Sequence, residues 1–191
     1  GLMSCSAGLV LALRAAGIGP GDEVVTTPMT FVATPNAALQ VGATPVFADI
    51  DPDTLDLAPA AAEAAVGPRS RALLAVDVFG RPAPMDALAG VARRHGLGLV
   101  EDACEALGAT SRGRPAGSLG DLGVFGFYPN KIITTGEGGM VVGDDERLLG
   151  HCRRARNHGR ETGGVEFVGD RPGHNFRLSE LQAALGLSQL E

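Results

Sequence analysis

The sequence predicts an α/β fold, a mostly parallel β-sheet with helices on both of its faces. Short apolar runs typical of buried strands alternate with amphipathic or alanine-rich segments typical of helices, and the loops between them are short. Glycine and proline, with 28 and 12 residues, separate these segments as turn signals and form no low-complexity tract. Such alternation favours parallel strands joined by right-handed crossovers within one large domain.

The first predicted helix runs from Leu9 towards Gly17, and Ser6 is its predicted N-cap because a serine hydroxyl can accept a first-turn backbone N–H. Residues 111–119, rich in Gly, Arg and Pro, indicate a loop or small hairpin, and residues 157–173 a polar connection. The other predicted strands are 22–26, 44–48, 72–76, 97–100, 124–127 and 140–142, and the other predicted helices are 30–41, 59–66, 85–95, 144–156 and 178–190.

Composition excludes several classes of function. The net charge is −6, and no basic cluster carries interleaved aromatic residues, so nothing favours nucleic-acid binding. The sequence has no apolar run of membrane-spanning length and no signal peptide, which predicts a cytoplasmic protein. The cysteines, Cys5, Cys104 and Cys152, are odd in number and scattered, so their spacing indicates neither a disulfide framework nor a zinc site.

Lys131 is the only lysine, since the other fifteen of the 16 Lys and Arg residues are arginines. Arginine stays protonated and cannot become a nucleophile, whereas a partly desolvated lysine can lose its proton and attack a carbonyl. The residue follows a predicted buried strand and precedes the glycine-rich loop 134–139, which allows close backbone approach. Taken alone, this pattern fits a functional amine and a chance surface lysine equally well.

Three candidate site residues follow predicted strands of the sheet. Asp102, Phe31 and Lys131 each come just past the end of a different strand. Ligands of open parallel sheets bind at the carboxyl ends of the strands, so the three residues are expected to meet at one edge. This convergence favours the functional interpretation of Lys131.

Several strings of the sequence carry a resemblance to a known family. GFYPNKIITTGEGGMVV, with EDACEALGA before it and HNFRLSELQAAL after it, resembles the DegT/DnrJ/EryC1/StrS family of sugar aminotransferases. GIGPGDEVVTTPMTFVATPNAA and GATPVFADIDPDT also match in order, so the resemblance covers essentially the whole chain. It implies the large domain of an aspartate-aminotransferase-like protein (pyridoxal 5′-phosphate, PLP, fold type I), with residues 139–142 as an antiparallel strand.

The resemblance implies a role for two of the edge residues. Lys131 falls on the lysine that bonds covalently to PLP, and Asp102 on the acid that pairs with the pyridinium nitrogen. A carboxylate at that place keeps the ring protonated, and a protonated ring is the better electron sink.

Five further residues match cofactor-binding positions of the family. Phe31 matches an aromatic residue that stacks on the cofactor ring, and Ser6 with the amide of Ala7 matches the phosphate-binding helix start. Glu105 falls close to the ring and its phenolic oxygen. Asn175 matches an asparagine that reaches the phosphate of the neighbouring subunit's cofactor. No metal site is implied.

Three positions depart from the family pattern. Cys5 stands where members often have glycine, Gly126 where many have a serine thought to touch the phosphate, and Ile132 where relatives carry a polar side chain. These departures bear on phosphate affinity and on the shape of the sugar pocket.

The implied function is PLP-dependent transfer of an amino group, with glutamate as the expected donor, to a keto sugar attached to a nucleotide. Two alternatives stay open: a non-catalytic regulatory or binding protein of the same fold, and a PLP-dependent sugar dehydratase. The dehydratases carry histidine at the position of Lys131, which argues against that branch. A nicotinamide-dependent oxidoreductase is disfavoured because no G-x-G-x-x-G follows a strand.

The resemblance also predicts the organisation of the protein. Residues 1–191 are expected to be a PLP-binding large domain cut at both ends and lacking the smaller C-terminal domain. The family's active site is shared across a homodimer, so a second copy of the chain is the expected partner.

Overall fold

The computed structural model describes residues 1–160 and 172–190, and most of the predicted connection 157–173 lies outside them. The helices are α1 (Cys5–Ala15), α2 (Ala33–Gln40), α3 (Pro59–Ala64), α4 (Met85–His95), α5 (Glu146–Ala155) and α6 (Glu180–Ser188). The strands are β1 (Glu23–Thr26), β2 (Thr44–Phe47), β3 (Ser70–Val76), β4 (Gly98–Asp102), β5 (Thr110–Ser111), β6 (Arg114–Pro115), β7 (Leu122–Gly126) and β8 (Gly139–Val142).

Six of these strands form the main sheet, in the order β2-β1-β3-β4-β7-β8. Neighbouring strands from β2 to β7 are parallel, and β8 pairs antiparallel with β7. The α/β fold and the antiparallel strand at 139–142 are therefore confirmed. The β5–β6 pair forms the small hairpin predicted as one possibility for residues 111–119.

Side chains of the central strands alternate between two apolar cores, one on each face of the sheet. On β3, Ala72 and Leu74 pack with α1, α2 and α5, whereas Leu73 and Ala75 pack with α3 and α4. Helices therefore cover both faces, as the alternating sequence predicts.

The N-terminal cap of α1 differs from the prediction. Ser4 caps the helix, and its hydroxyl accepts the N–H of Ala7 at 3.1 Å. Leu2 is paired with Gly139 through two backbone hydrogen bonds, and the chain is still extended at Ser4, so the helix begins at Cys5. The prediction of Ser6 as the cap is wrong because the sequence offers two serines, and backbone pairing at Leu2 selects the earlier one.

None of the helices within residues 1–160 and 172–190 combines the length and the apolar character needed to cross a membrane.

Candidate functional site

The carboxyl edge of the parallel sheet brings together residues that lie far apart in the sequence. Asp102, the last residue of β4, pairs in register with Val76 of β3 and Val124 of β7. Lys131 lies on the loop that follows β7, and its Nζ contacts Oε1 of Glu105 at 3.2 Å. The Lys131 charge also acts on the Asp102 carboxyl group. The structure therefore brings together Lys131, Asp102 and Glu105.

Asp102 is buried, with 5% of its surface exposed. The hydroxyl of Thr34 donates to its Oδ2 at 2.7 Å, and the N–H of Cys104 donates to its Oδ1 at 3.3 Å. Burial raises the pKa of Asp102, although these two hydrogen bonds and the positive charge of Lys131 act in the opposite direction. A buried carboxyl group whose pKa is raised in this way would be stabilised in its charged form by a cationic N–H donor.

Lys131 lies on a loop that the ends of β7 and β8 close tightly. The N–H of Phe127 donates to Gly138 at 2.9 Å, and the N–H of Thr135 donates to Phe127 at 3.0 Å. A Cβ at Gly138 would lie 2.1 Å from the Thr135 hydroxyl, so a side chain at that position would clash. The predicted close approach of backbone in this loop is found at Gly139, where an added Cβ would lie 2.5 Å from the Ser4 backbone. The Lys131 side chain is 20% exposed.

Glu105 bridges Lys131 to the loop after β3. Its second carboxylate oxygen accepts the N–H of Phe79 at 3.2 Å. Phe79 has a φ of 55°, a left-handed conformation that is uncommon for a bulky residue, and its side chain is 71% exposed. The exposed Phe79 therefore lies next to the Glu105 carboxylate at this edge of the sheet.

The N-terminus of α1 reaches the same edge of the sheet. Gly139, which pairs with Gly126 at the end of β7, packs so closely on Ser4 that an added Cβ would lie 2.5 Å from the Ser4 carbonyl carbon. Ser6 is exposed on the first turn, and the amide of Ala7 is bonded to the Ser4 hydroxyl. The first-turn amides of α1 and the Lys131 loop thus lie along one sheet edge.

Phe31 and Asn175 are exposed in the structure. Phe31 lies between β1 and α2 with 78% of its surface exposed, and Asn175 forms a backbone bridge with Asn157 before α6. The role expected of Asn175 requires a second subunit. Both assignments stay predictions.

Sequence reasoning missed three residues that contact the site. The Thr34 hydroxyl and the Phe79 amide contact the two acids, but no spacing in the sequence indicates these bonds. Cys104 is joined by a disulfide to Cys5, 99 residues earlier. The spacing of the cysteines indicated no disulfide, and the structure corrects this because sheet topology, rather than spacing, brings the end of β4 beside the start of α1.

Two surface cavities, of about 340 and 540 Å³, lie at the opposite edge of the sheet. Both are lined by Asp121, which precedes β7, and the smaller also by Gly98 at the start of β4. They contain none of the predicted site residues, so the chemistry of the Lys131 edge, rather than cavity size, identifies the candidate site.

The fold and the edge together define a class, an α/β domain of the type I PLP fold with an amine and a buried acid at the carboxyl ends of its strands. The chain belongs to the DegT/DnrJ/EryC1/StrS aminotransferase family, whose sequence model matches residues 1–191.

Known relatives extend this comparison. The chain is 46% identical over 98% of its length to the spore coat polysaccharide biosynthesis protein SpsC of Bacillus subtilis, covering 51% of that protein. It is 47% identical over 96% of its length to GDP-perosamine synthase of Caulobacter vibrioides, covering 49% of it. The solved structure of NtdA from Bacillus subtilis, with bound cofactor PMP, has a TM-score of 0.92 at 32% identity; the match covers 99% of this chain and 43% of that one. The chain thus spans about half the length of the relatives that it matches.

Proposed function

We propose that this chain is the cofactor-binding part of a PLP-dependent aminotransferase that moves an amino group from an amino acid, expected to be glutamate, to a keto sugar carried by a nucleotide. The observation that carries the proposal is the Lys131 amine beside the buried Asp102 carboxylate, in a member of an aminotransferase family. The PMP bound to NtdA supports the cofactor, and the name GDP-perosamine synthase supports a nucleotide-linked sugar.

The residues present fit PLP. Asp102 is a buried acid whose pKa is raised by burial, and a protonated ring nitrogen would give it a cationic partner at hydrogen-bond distance. Lys131 supplies the amine, and the first turn of α1, where Ser6 is exposed, would hold the phosphate through Ser6 and the amide of Ala7. The Ala7 N–H would then exchange its bond to the Ser4 hydroxyl for one to the phosphate. Phe31 would stack on the ring.

Each group has a distinct task in the proposed reaction. When bound, PLP supplies an electron sink for the carbon that loses its proton. The Nζ of Lys131 would first hold the cofactor and then, once released, take a proton from the amino-acid carbon and deliver it to the C4′ carbon of the cofactor. Glu105 holds Nζ through its 3.2 Å contact, and Asp102 would keep the ring nitrogen protonated.

The proposed assembly is a homodimer acting in the cytoplasm. In such a dimer, Asn175 would contribute to the partner subunit's phosphate site, which fits its exposure on this chain. We also propose that residues 1–191 form the large domain and that a smaller C-terminal domain completes the enzyme, in keeping with relatives of about twice the length.

The test uses the full-length protein with PLP and glutamate, and it measures 2-oxoglutarate formed in a single turnover. We expect stoichiometric product from the parent and none from Lys131→Ala. Arg147→Ala, which removes an exposed cation on α5, is the control and should behave like the parent. A second turnover with nucleotide-linked keto sugars then identifies the acceptor. No product from the parent would contradict the aminotransferase and favour a non-catalytic protein of this fold.

A further inference from the structure

The disulfide between Cys5 and Cys104 connects two parts of the candidate site. Cys5 is the first residue of α1, whose first turn is the proposed phosphate site. The backbone N–H of Cys104 donates to Oδ1 of Asp102, and Sγ of Cys5 lies 3.9 Å from the same oxygen. The cross-link therefore joins the helix start to the loop that holds the buried acid.

The structure has space for this link because position 126 is glycine. A Cβ at Gly126 would lie 3.1 Å from Cβ of Cys5 and 3.4 Å from Sγ of Cys104. The first of these distances is tighter than most carbon–carbon contacts, so a side chain at position 126 would require its neighbours to shift slightly. The two cysteines and the glycine thus form one unit, and each of the departures at Cys5 and Gly126 accommodates the other.

The third cysteine has a different environment. Cys152 is buried in the core between α5 and α1, and burial raises the pKa of its thiol to about 11. A thiol in that state is a poor nucleophile and is inaccessible to reagents. Cys5 and Cys104 are only half-buried, at the open edge of the sheet. Reagents that exchange thiols are therefore expected to reach this pair and not Cys152.

We propose that Cys5 and Cys104 form a reversible thiol–disulfide modification site that controls the affinity of the protein for PLP. The effect on affinity rests on the function proposed above. The exchange partner is a small or protein dithiol. One of its thiolates attacks a sulfur of the Cys5–Cys104 bond and displaces the other as a thiolate, and its second thiol then resolves the mixed disulfide. The two cysteines gain two electrons and two protons in total, and the dithiol is oxidised to its own disulfide.

The oxidised form is the tighter binder in this proposal. The covalent link holds the first turn of α1 at a fixed distance from the loop of Asp102, with the Cα atoms of Cys5 and Cys104 6.8 Å apart. The groups proposed to hold the phosphate and the ring nitrogen are then positioned before PLP arrives, which lowers the cost of ordering them. In the reduced form the two sulfurs must separate to non-bonded distance, and Asp102 and Gly126 are among the groups that lie against them.

The test compares the full-length protein equilibrated with reduced or with oxidised dithiothreitol. Alkylation with iodoacetamide under native conditions, followed by peptide mass spectrometry, measures which cysteines are free. Absorbance titration with PLP measures the dissociation constant of the same samples. We expect Cys5 and Cys104 to become alkylated together under reduction, Cys152 to stay protected, and PLP affinity to fall about tenfold on reduction and recover on reoxidation, because a preorganised site is lost and restored.

Variants separate this effect from a general effect of thiol reagents. Cys152→Ala should keep the tenfold response, whereas Cys104→Ser and Cys5→Ser should each abolish it and bind PLP like the reduced parent. Either serine variant suffices if the other fails to fold. Equal affinities in the two redox states, with the cofactor bound to Lys131 in both, would overturn the control of affinity and leave the proposed function standing. Free Cys5 and Cys104 under oxidation would overturn the site itself. Absence of PLP binding in both states would overturn the proposed function and the effect on affinity together, while the alkylation pattern would still report on the disulfide.

Discussion

Glu101 and Asp102 are neighbours at the end of β4, but they lie on opposite faces of the sheet and have different hydrogen-bond partners. Glu101 faces the side of α3 and α4, has no exposed surface, and accepts backbone N–H groups from Gly117 at 2.7 Å and Leu119 at 2.8 Å. Asp102 faces the side of α1 and α2, is equally buried in practice, and is bonded by one hydroxyl and one longer amide contact.

The difference fits a structural role for Glu101 and the ligand-binding role proposed for Asp102. Glu101 uses both carboxylate oxygens to hold the loop before β7, so its charge is matched by fixed backbone dipoles. Asp102 has weaker support from the protein, and burial raises its pKa. We infer that the kind and length of the hydrogen bonds, rather than their number or burial, distinguish an acid kept for folding from one kept for a ligand.

The largest expected effect concerns Asp102→Asn. Asparagine keeps the size, and its oxygen can accept the Cys104 N–H while its NH₂ donates to the Thr34 hydroxyl, which can turn to Thr30. It cannot pair as a charge with a ring nitrogen. We expect the rate of amino transfer to fall by about 10²–10³, the usual cost of losing one preorganised electrostatic contact. The free energy of unfolding near neutral pH should stay equal or rise, because a buried charge has been removed. Single-turnover kinetics measure the rate, and urea denaturation of the same preparation measures the free energy of unfolding. A loss of stability with an unchanged rate would show that Asp102 has a structural role and no role in amino transfer.

Glu101→Gln is the matched variant on the opposite face. One backbone N–H keeps its acceptor, whereas the other meets the amide NH₂, so we expect the free energy of unfolding to fall by about 2–3 kcal/mol. PLP affinity of the folded protein should stay close to that of the parent. Urea denaturation measures the first quantity and absorbance titration the second. A large loss of PLP affinity with an unchanged free energy of unfolding would contradict the proposed difference between Glu101 and Asp102.

Asp77, which follows β3, is a third buried acid at this edge, and its effect on stability depends on pH. Burial, with smaller contributions from Glu101 and Asp102, raises the pKa of Asp77 to about 8. In the unfolded chain the same group has a pKa of about 4, so between these values the folded state binds the extra proton. Stability should therefore decrease as the pH rises from about 4 to about 8.

Asp77→Asn removes that titration. We expect urea midpoints to depend less on pH in the variant, and its stability at pH 8 to exceed that of the parent by about 1–2 kcal/mol, the cost of burying a polar group without compensation. Asp145→Asn, which alters an exposed acid at the start of α5, is the control for a general effect of charge. Parallel pH profiles for the parent and Asp77→Asn would contradict the account of this acid.

Much of the fold follows from local sequence patterns. Helix α4 has the predicted limits because its apolar positions recur at helical spacing and Gly96 ends it in a left-handed conformation. The edge that joins Asp102 and Lys131 was also predictable, because parallel strands end together. Their chemical roles stay predictions.

Other features depend on tertiary contacts that no spacing encodes. Ser4, rather than the predicted Ser6, caps α1 because Leu2 pairs with Gly139, on a segment more than a hundred residues away. The Cys5–Cys104 link and the Thr34 hydroxyl bond likewise depend on how helices dock on the sheet. A sequence pattern reports which face of an element is buried, but it does not report which polar atoms meet there.

The most direct test of the central claim is to add PLP to this chain, reduce with borohydride, and locate the product by peptide mass spectrometry. Because Lys131 is the only lysine, the chain offers one side-chain amine for the bond. We expect a visible absorbance band before reduction and a phosphopyridoxyl group on Lys131 after it, with both absent in Lys131→Ala and the band weakened in Asp102→Asn. A full-length protein that forms no Lys131 adduct under the same conditions would contradict the assignment of this edge as the cofactor site.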